Sequence, residues 1–177
     1  MSARYAVFLR GINVGGNRTI KMADLRASFE ELGFEDVHTV LQSGNVLFTS
    51  ASRSADALRS KIEAALTKTF AYPAKVYLCT LPALERAIKN YPFDLNETTI
   101  QHYVVFGGDK AVDTILTEAV DLDQKTEEVK GEAPFIYWRV QKGESTKSAF
   151  AKILAKAKYR DHTTVRNMNT LKKMIGK

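Results

Sequence analysis

The sequence predicts an α+β fold: two ferredoxin-like (βαββαβ-type) units with antiparallel sheets, plus a C-terminal helix. Three observations predict it. Apolar residues alternate along the chain between a period of two and a period near 3.6, the marks of strand and helix. In the first eighty residues these periods fall in the order βαββαβ, the ferredoxin-like pattern. From residue 100 the order returns in outline, although the halves share no residue-level identity.

Arg4 to Arg10 (RYAVFLR) reads as a strand rich in β-branched and aromatic residues. Gly11 to Thr19 is a loop, because three glycines and two asparagines extend neither a helix nor a strand well. Met22, Leu25, Phe29 and Leu32 then repeat at helical spacing, and Gly33 stops that helix. Val37–Leu41 and Val46–Thr49 read as strands joined by the turn Gln42-Ser43-Gly44-Asn45. Leu58, Ile62, Leu66 and Phe70 mark a second helix, with Ser54 or Ser52 as its N-cap. Ala74–Cys79 completes the first sheet, and Pro82 opens a short linking helix.

The second half begins with a strand over Ile100–Phe106, followed by a helix with Val112, Ile115, Leu116 and Ala119 on one side. Glu127–Lys130 and Phe135–Val140 suggest a hairpin across residues 131–134. Phe150, Ile153, Leu154 and Ala157 suggest one further helix. The last helix has Met168, Leu171, Met174 and Ile175 on its apolar side, and it stands where a fourth strand belongs. The expected division is residues 1–93, the first unit with its linking helix, and 94–177, the second unit with basic C-terminal helices.

The chain has 177 residues, 45% of them hydrophobic, enough to bury a core without disulfides or metal. No apolar run nears the ~18–20 residues that span a bilayer, so no membrane partner is expected. The N-terminus has no signal-peptide pattern, and the lone cysteine, Cys79, forms no internal disulfide; both fit a cytoplasmic protein. The net charge of +6 is uneven: residues 141–177 hold ten Lys or Arg against two acids. That basic end offers weak, non-specific binding to nucleic acid. A recognition surface for RNA is missing, since Asn45–Thr49 has one aromatic and no basic-Gly-aromatic run.

Three polar motifs remain. Arg10-Gly11-Ile12-Asn13-Val14-Gly15-Gly16 sits between a strand and a helix, where glycine backbone can turn N–H groups inward around an anion. It matches neither the Walker pattern nor the dinucleotide fingerprint, so no cofactor is expected. Gln42, Ser43 and Asn45 place two amides and a hydroxyl on a tight turn. In a sheet of order 4-1-3-2 the end of the first strand and the turn between the second and third strands lie at the same end, so these two motifs converge. The third motif, Thr163 to Thr170, is read as the opening of the final helix, with Arg166, Thr170 and Lys173 on one polar face. The three histidines lie far apart and outside any metal-ligand spacing. No Gly-x-Ser-x-Gly elbow occurs, Cys79 reads as a core thiol, and Glu127-Glu128 reads as solvated charge.

Taken together, RGINVGG with Met22-x-x-Leu25, then Thr39-x-Leu41-Gln42-Ser43-Gly44-Asn45-Val46, then Arg166-Asn167-x-Asn169-Thr170 resemble the bacterial domain-of-unknown-function 1697 family. The resemblance runs from Tyr5 to about Met174. Val40 stands where that family commonly has an aromatic, and Met168 where it often has Trp. The resemblance implies two ferredoxin-like units. It implies no activity and supplies no catalytic residues.

The functional expectation is a site for a small polar or anionic ligand, built from Arg10, Gly11, Asn13, Gly15, Gly16, Gln42, Ser43 and Asn45. Arg166 and Asn167 are its candidate contributors from the second half. The rival is a nucleic-acid module using the basic C-terminal helices.

Overall fold

The alternation of apolar residues in Ala3–Leu9 forms the first strand, β1, in a computed structural model that describes residues 2–12 and 19–176. The first unit continues with α1 (Met22–Glu31), β2 (Glu35–Val40), β3 (Asn45–Ser50), α2 (Ala55–Phe70) and β4 (Val76–Thr80). Its sheet has the order β2-β3-β1-β4, and the β2–β3, β3–β1 and β1–β4 pairs are all antiparallel. Tyr5, Val7 and Leu9 share one face with Val46 and Phe48, and onto that face pack Leu25 and Phe29 of α1 and Leu58, Ile62 and Leu66 of α2. The periods of two and of about 3.6 read from the sequence are therefore the two sides of one core.

Local signals set the helix ends. Gly33, at φ +80°, donates to Glu30 O, and Phe34 N reaches back to Phe29 O, a Schellman stop. The Phe29 and Phe34 rings meet across it at 6.0 Å, and Phe34 stacks on Phe48 at 4.3 Å. Ser54 caps α2 by accepting from Ala57 N.

A short helix, α3 (Leu81–Lys89), leads to the second unit: β5 (Ile100–Gly107), α4 (Asp109–Glu118), β6 (Glu127–Glu132), β7 (Phe135–Gln141), α5 (Ala149–Leu154), α6 (Ala157–Arg160) and β8 (Thr163–Asn167). The last helix is α7 (Met168–Ile175). The second sheet has the order β6-β7-β5-β8, again antiparallel throughout. Val105, Ile136, Trp138 and Val140 pack with Val112 and Ile115 of α4, Phe150 of α5 and Tyr159 of α6. The chain divides into two compact units, Met1–Arg86 with Lys172–Lys177, and Ala87–Leu171.

Several expectations for the second half change. Its order is a complete βαββαβ, because Thr163–Asn167 is a strand paired with β5 and not the start of a helix. Three consecutive β-branched residues, Thr163-Thr164-Val165, favour extended backbone over helix. The helix begins at Met168, so Arg166 does not share a helical face with Thr170 and Lys173. Asn167 accepts from Asn169 N with its Oδ1, a capping bond at the strand-to-helix junction. The stretch from Phe150 to Ala157 is two short helices, and the β6–β7 hairpin is tighter than read, with only Ala133 and Pro134 between the strands. Ile175 is partly exposed, not part of the buried stripe.

Candidate functional site

The end of β1 meets the β2–β3 turn, as the strand order requires. Leu9 N donates to Gly44 O at 2.8 Å, and Phe8 pairs with Asn45 across the ladder. On the other side Arg10 N donates to Lys75 O, just before β4. The fit is close. A methyl group at Gly44 would stand 2.6 Å from Ile12 Cδ1 and 2.8 Å from Leu9 Cβ, and Gly44 has φ +72°. Only glycine satisfies both conditions without a shift.

Asn45 is fully buried and holds the turn from beneath. Its Nδ2 donates to Val40 O and to Ser43 Oγ, both at 2.8 Å. Gln42 and Ser43 face solvent, as does Leu41, whose φ is +58°. The loop after β1 starts from Ile12 and returns at Ile20, both buried in the first core. The structure thus brings Arg10, Gly11, Gln42, Ser43 and Asn45 to one end of the first sheet. Asn13, Gly15 and Gly16 lie outside the described residues.

The second unit makes the same connections with far less chain. Gly107 N donates to Pro134 O, the counterpart of the Leu9–Gly44 bond. There the turn is Ala133-Pro134, with a cis peptide bond, against the four residues Leu41–Gly44. Gly108 alone joins β5 to α4, against the stretch Arg10–Lys21 between β1 and α1.

Arg166 and Asn167 belong to the second unit, on β8. Arg166 is half-buried opposite Val104, and its Nη1 donates to Thr164 Oγ1 and Val165 O, both at 2.9 Å.

Sequence reading missed the principal buried charge. Glu127 is 3% exposed, and its carboxylate accepts from the Trp138 indole N–H at 3.1 Å and from Phe150 N at 3.0 Å. It ties β6, β7 and the start of α5 together. Its neighbour Glu128 points to the other face and pairs with Arg139 and Lys130. Strand alternation could have separated the two acids, since Glu127 shares its face with Val129 of the core. Glu118 at the end of α4 gathers Lys156, Lys158 and the Tyr159 hydroxyl, and these bonds, Lys156 first, hold its carboxyl down at about 2.

Burial pushes the Cys79 thiol up to about 12, so it carries no thiolate at neutral pH and is a core residue. Among the described residues no group of three or more His, Cys, Asp or Glu could hold a metal ion. None of the described helices is long and apolar enough to cross a membrane. Tyr91 anchors the chain entering the second unit: its hydroxyl donates to Trp138 O at 2.9 Å and lies 3.1 Å from His102 Nδ1.

A four-stranded antiparallel sheet of ferredoxin-like order, made twice, with an enlarged polar loop and turn at one end of the first copy, defines the class: a double ferredoxin-like α+β protein. The chain belongs to the family described as protein of unknown function (DUF1697), whose model matches residues 2–137. Among solved structures it is similar to the conserved bacterial protein SP0830 from Streptococcus pneumoniae, at 31% identity and TM-score 0.80, covering 98% of this chain and 97% of that one. An unknown protein from Galdieria sulphuraria matches at 12% identity and TM-score 0.31, covering 94% and 98% of the two chains. No curated protein matches the chain.

Proposed function

We propose that the first unit binds a small polar or anionic ligand at the end formed by the loop Arg10–Lys21 and the turn Leu41–Gly44. The observation that carries this reading is the contrast between the two units. The same topology closes in the second unit with a two-residue turn and a single linking glycine. The longer connections of the first unit are therefore not a requirement of the fold, and extra polar loop on a rigid scaffold is where binding residues concentrate.

The chemistry supports an anion. Residues 10–21 hold Arg10, Arg18 and Lys21 and no acid. Gly11, Gly15 and Gly16 carry no side chain, and glycine-rich backbone of this kind can turn its N–H groups around an oxyanion. Gln42 and Ser43 add groups that both donate and accept. Asn45 acts from below, as the residue that fixes the turn. The nucleic-acid alternative is weakened by where the basic residues point: Lys147 pairs with Glu144, Lys156 and Lys158 with Glu118, and Arg160 with Asp161. Those charges are partly met within the protein.

A thermal-shift screen of the full chain against anionic and polar metabolites tests the proposal. A ligand at ~100 times its Kd stabilises by ~2.7 kcal/mol. Gln42→Ala, at an exposed position, should leave the melting temperature of the free protein nearly unchanged and abolish that shift. A Gln42→Ala protein that keeps the full shift places the ligand elsewhere and rejects this site.

A further inference from the structure

Among the described residues Glu127 is the only aspartate or glutamate that is more than nine-tenths buried. Its two bonds come from neutral donors, the Trp138 indole N–H and Phe150 N. Those groups require acceptor oxygens and no net charge. A buried carboxylate is costly unless a cation meets it. Other acids of this unit have their cations: Glu128 pairs with Arg139 and Lys130, and Glu118 with Lys156 and Lys158. Among the described residues no lysine, arginine or histidine pairs with Glu127.

Glu127 also lines a cavity of about 240 Å³. The cavity lies between the end of α4, the segment that follows it and β6, the edge strand of the second sheet. Leu116, Ala119, Leu122 and Val129 give it apolar walls. Val120 lines it as well and is 74% exposed, which marks where the cavity meets solvent. Gly131 makes room for one wall: a methyl group there would stand 2.3 Å from Leu116 Cδ1.

We propose that this cavity binds a small primary ammonium ion carrying an apolar group. The charged head lies on the Glu127 carboxylate and the apolar part between Leu116, Leu122 and Val129. A carboxylate offers about four acceptor sites, so two remain beyond those used by Trp138 and Phe150. An ammonium group brings donors for them and the positive charge that burial calls for. The volume sets the size, since drug-sized ligands occupy roughly 300–1,000 Å³ and this cavity is smaller. A metal ion fits poorly: among the described residues no group of three or more His, Cys, Asp or Glu could hold one. The site lies wholly within the second unit and stands independently of the anion site of the first.

Titration of the full chain with phenethylammonium and with its neutral counterpart, 2-phenylethanol, tests the proposal. Calorimetry gives the affinities. The emission of Trp138, the sole tryptophan, reports events at the carboxylate its indole N–H shares. In the wild type the amine should bind roughly tenfold tighter than the alcohol, the worth of one charge-assisted contact, and should shift that emission. Glu127→Gln keeps the shape and removes the charge, so the two affinities should then agree within about twofold. Ala119→Leu fills the cavity from its wall and leaves the carboxylate in place. It should weaken the amine by roughly tenfold or more, and it serves where Glu127→Gln is too unstable to titrate. Equal affinities for amine and alcohol in the wild type, or no binding of either, overturn the proposal. So does a preference for the amine that survives Glu127→Gln, or an Ala119→Leu protein that binds the amine as the wild type does.

Discussion

The first unit joins its second and third strands with Leu41–Gly44, and the second unit joins the corresponding strands with Ala133 and Pro134. In both, the end of the central strand donates one backbone hydrogen bond to the turn, from Leu9 to Gly44 and from Gly107 to Pro134. The topology asks for no more than that bond. What surrounds it differs. The first unit puts a buried amide under its turn and polar residues on top. The second unit keeps its distinctive polar groups for internal ties: Glu127 on Trp138 and Phe150, and Glu118 on Lys156, Lys158 and Tyr159. Two units with one topology thus separate the residues that a sheet of this kind needs from those it does not.

The largest expected effect breaks the internal tie of the second unit. Glu127→Ala leaves the Trp138 indole N–H and Phe150 N buried without an acceptor and should destabilise by about 3 kcal/mol. Glu127→Gln keeps one acceptor and should lose about a third of that. Trp138 is the sole tryptophan, so urea unfolding followed by its fluorescence reads this unit directly. An alanine variant as stable as the wild type would return Glu127 to the class of surface charges.

Next comes the turn of the first unit. Asn45→Ala removes two hydrogen bonds from a fully buried position, with an expected cost of about 2 kcal/mol, or roughly 5 °C in melting temperature. The comparison predicts that Gln42→Ala, one turn residue away but exposed, moves the same melting curve by less than about 1 °C. Equal losses in the two variants would erase the distinction between the buried support and the exposed surface of the turn.

The smallest effect is electrostatic. The Glu118 carboxyl, ordinarily near 4.5, is held at about 2 by hydrogen bonds from Lys156, then Lys158 and Tyr159. A carboxyl lowered on folding adds stability that is present above pH 4.5 and is lost as the pH falls through about 2. Both lysines are half exposed, so the contribution is screened and modest. Melting curves between pH 5 and pH 2.5 should converge for wild type and Glu118→Gln; curves that stay parallel would show that the cluster does not couple to folding.

Much of this was legible in the sequence because it rests on local rules. Phe29 and Leu25 follow a helical period, Tyr5, Val7 and Leu9 a strand period, and Gly33 the left-handed requirement of a helix stop. That the end of β1 lies against the QSGN turn followed from strand order alone, and Leu9 N on Gly44 O is the bond that joins them. Three readings failed for a common reason. Thr163, Thr164 and Asn167 are residues that suit a helix cap as well as a strand, and pairing with β5 decides between them. Glu127 and Glu128 are identical residues side by side; which is buried depends on the face that the strand turns to α5. Leu41 reads as an ordinary strand end until its backbone angle is known.

The sequence by itself determined the order of elements in the first unit, the apolar faces that make each core, and the glycine-dependent turns, because propensity, periodicity and steric limits act within a few residues. Only the tertiary structure decided which polar residues are buried and which are exposed. A carboxylate or an amide has the same local preferences whether it meets water or a buried N–H, and the difference arises when a distant strand or helix end covers it. That is why Asn45 and Glu127 became supports and Gln42 stayed at the surface.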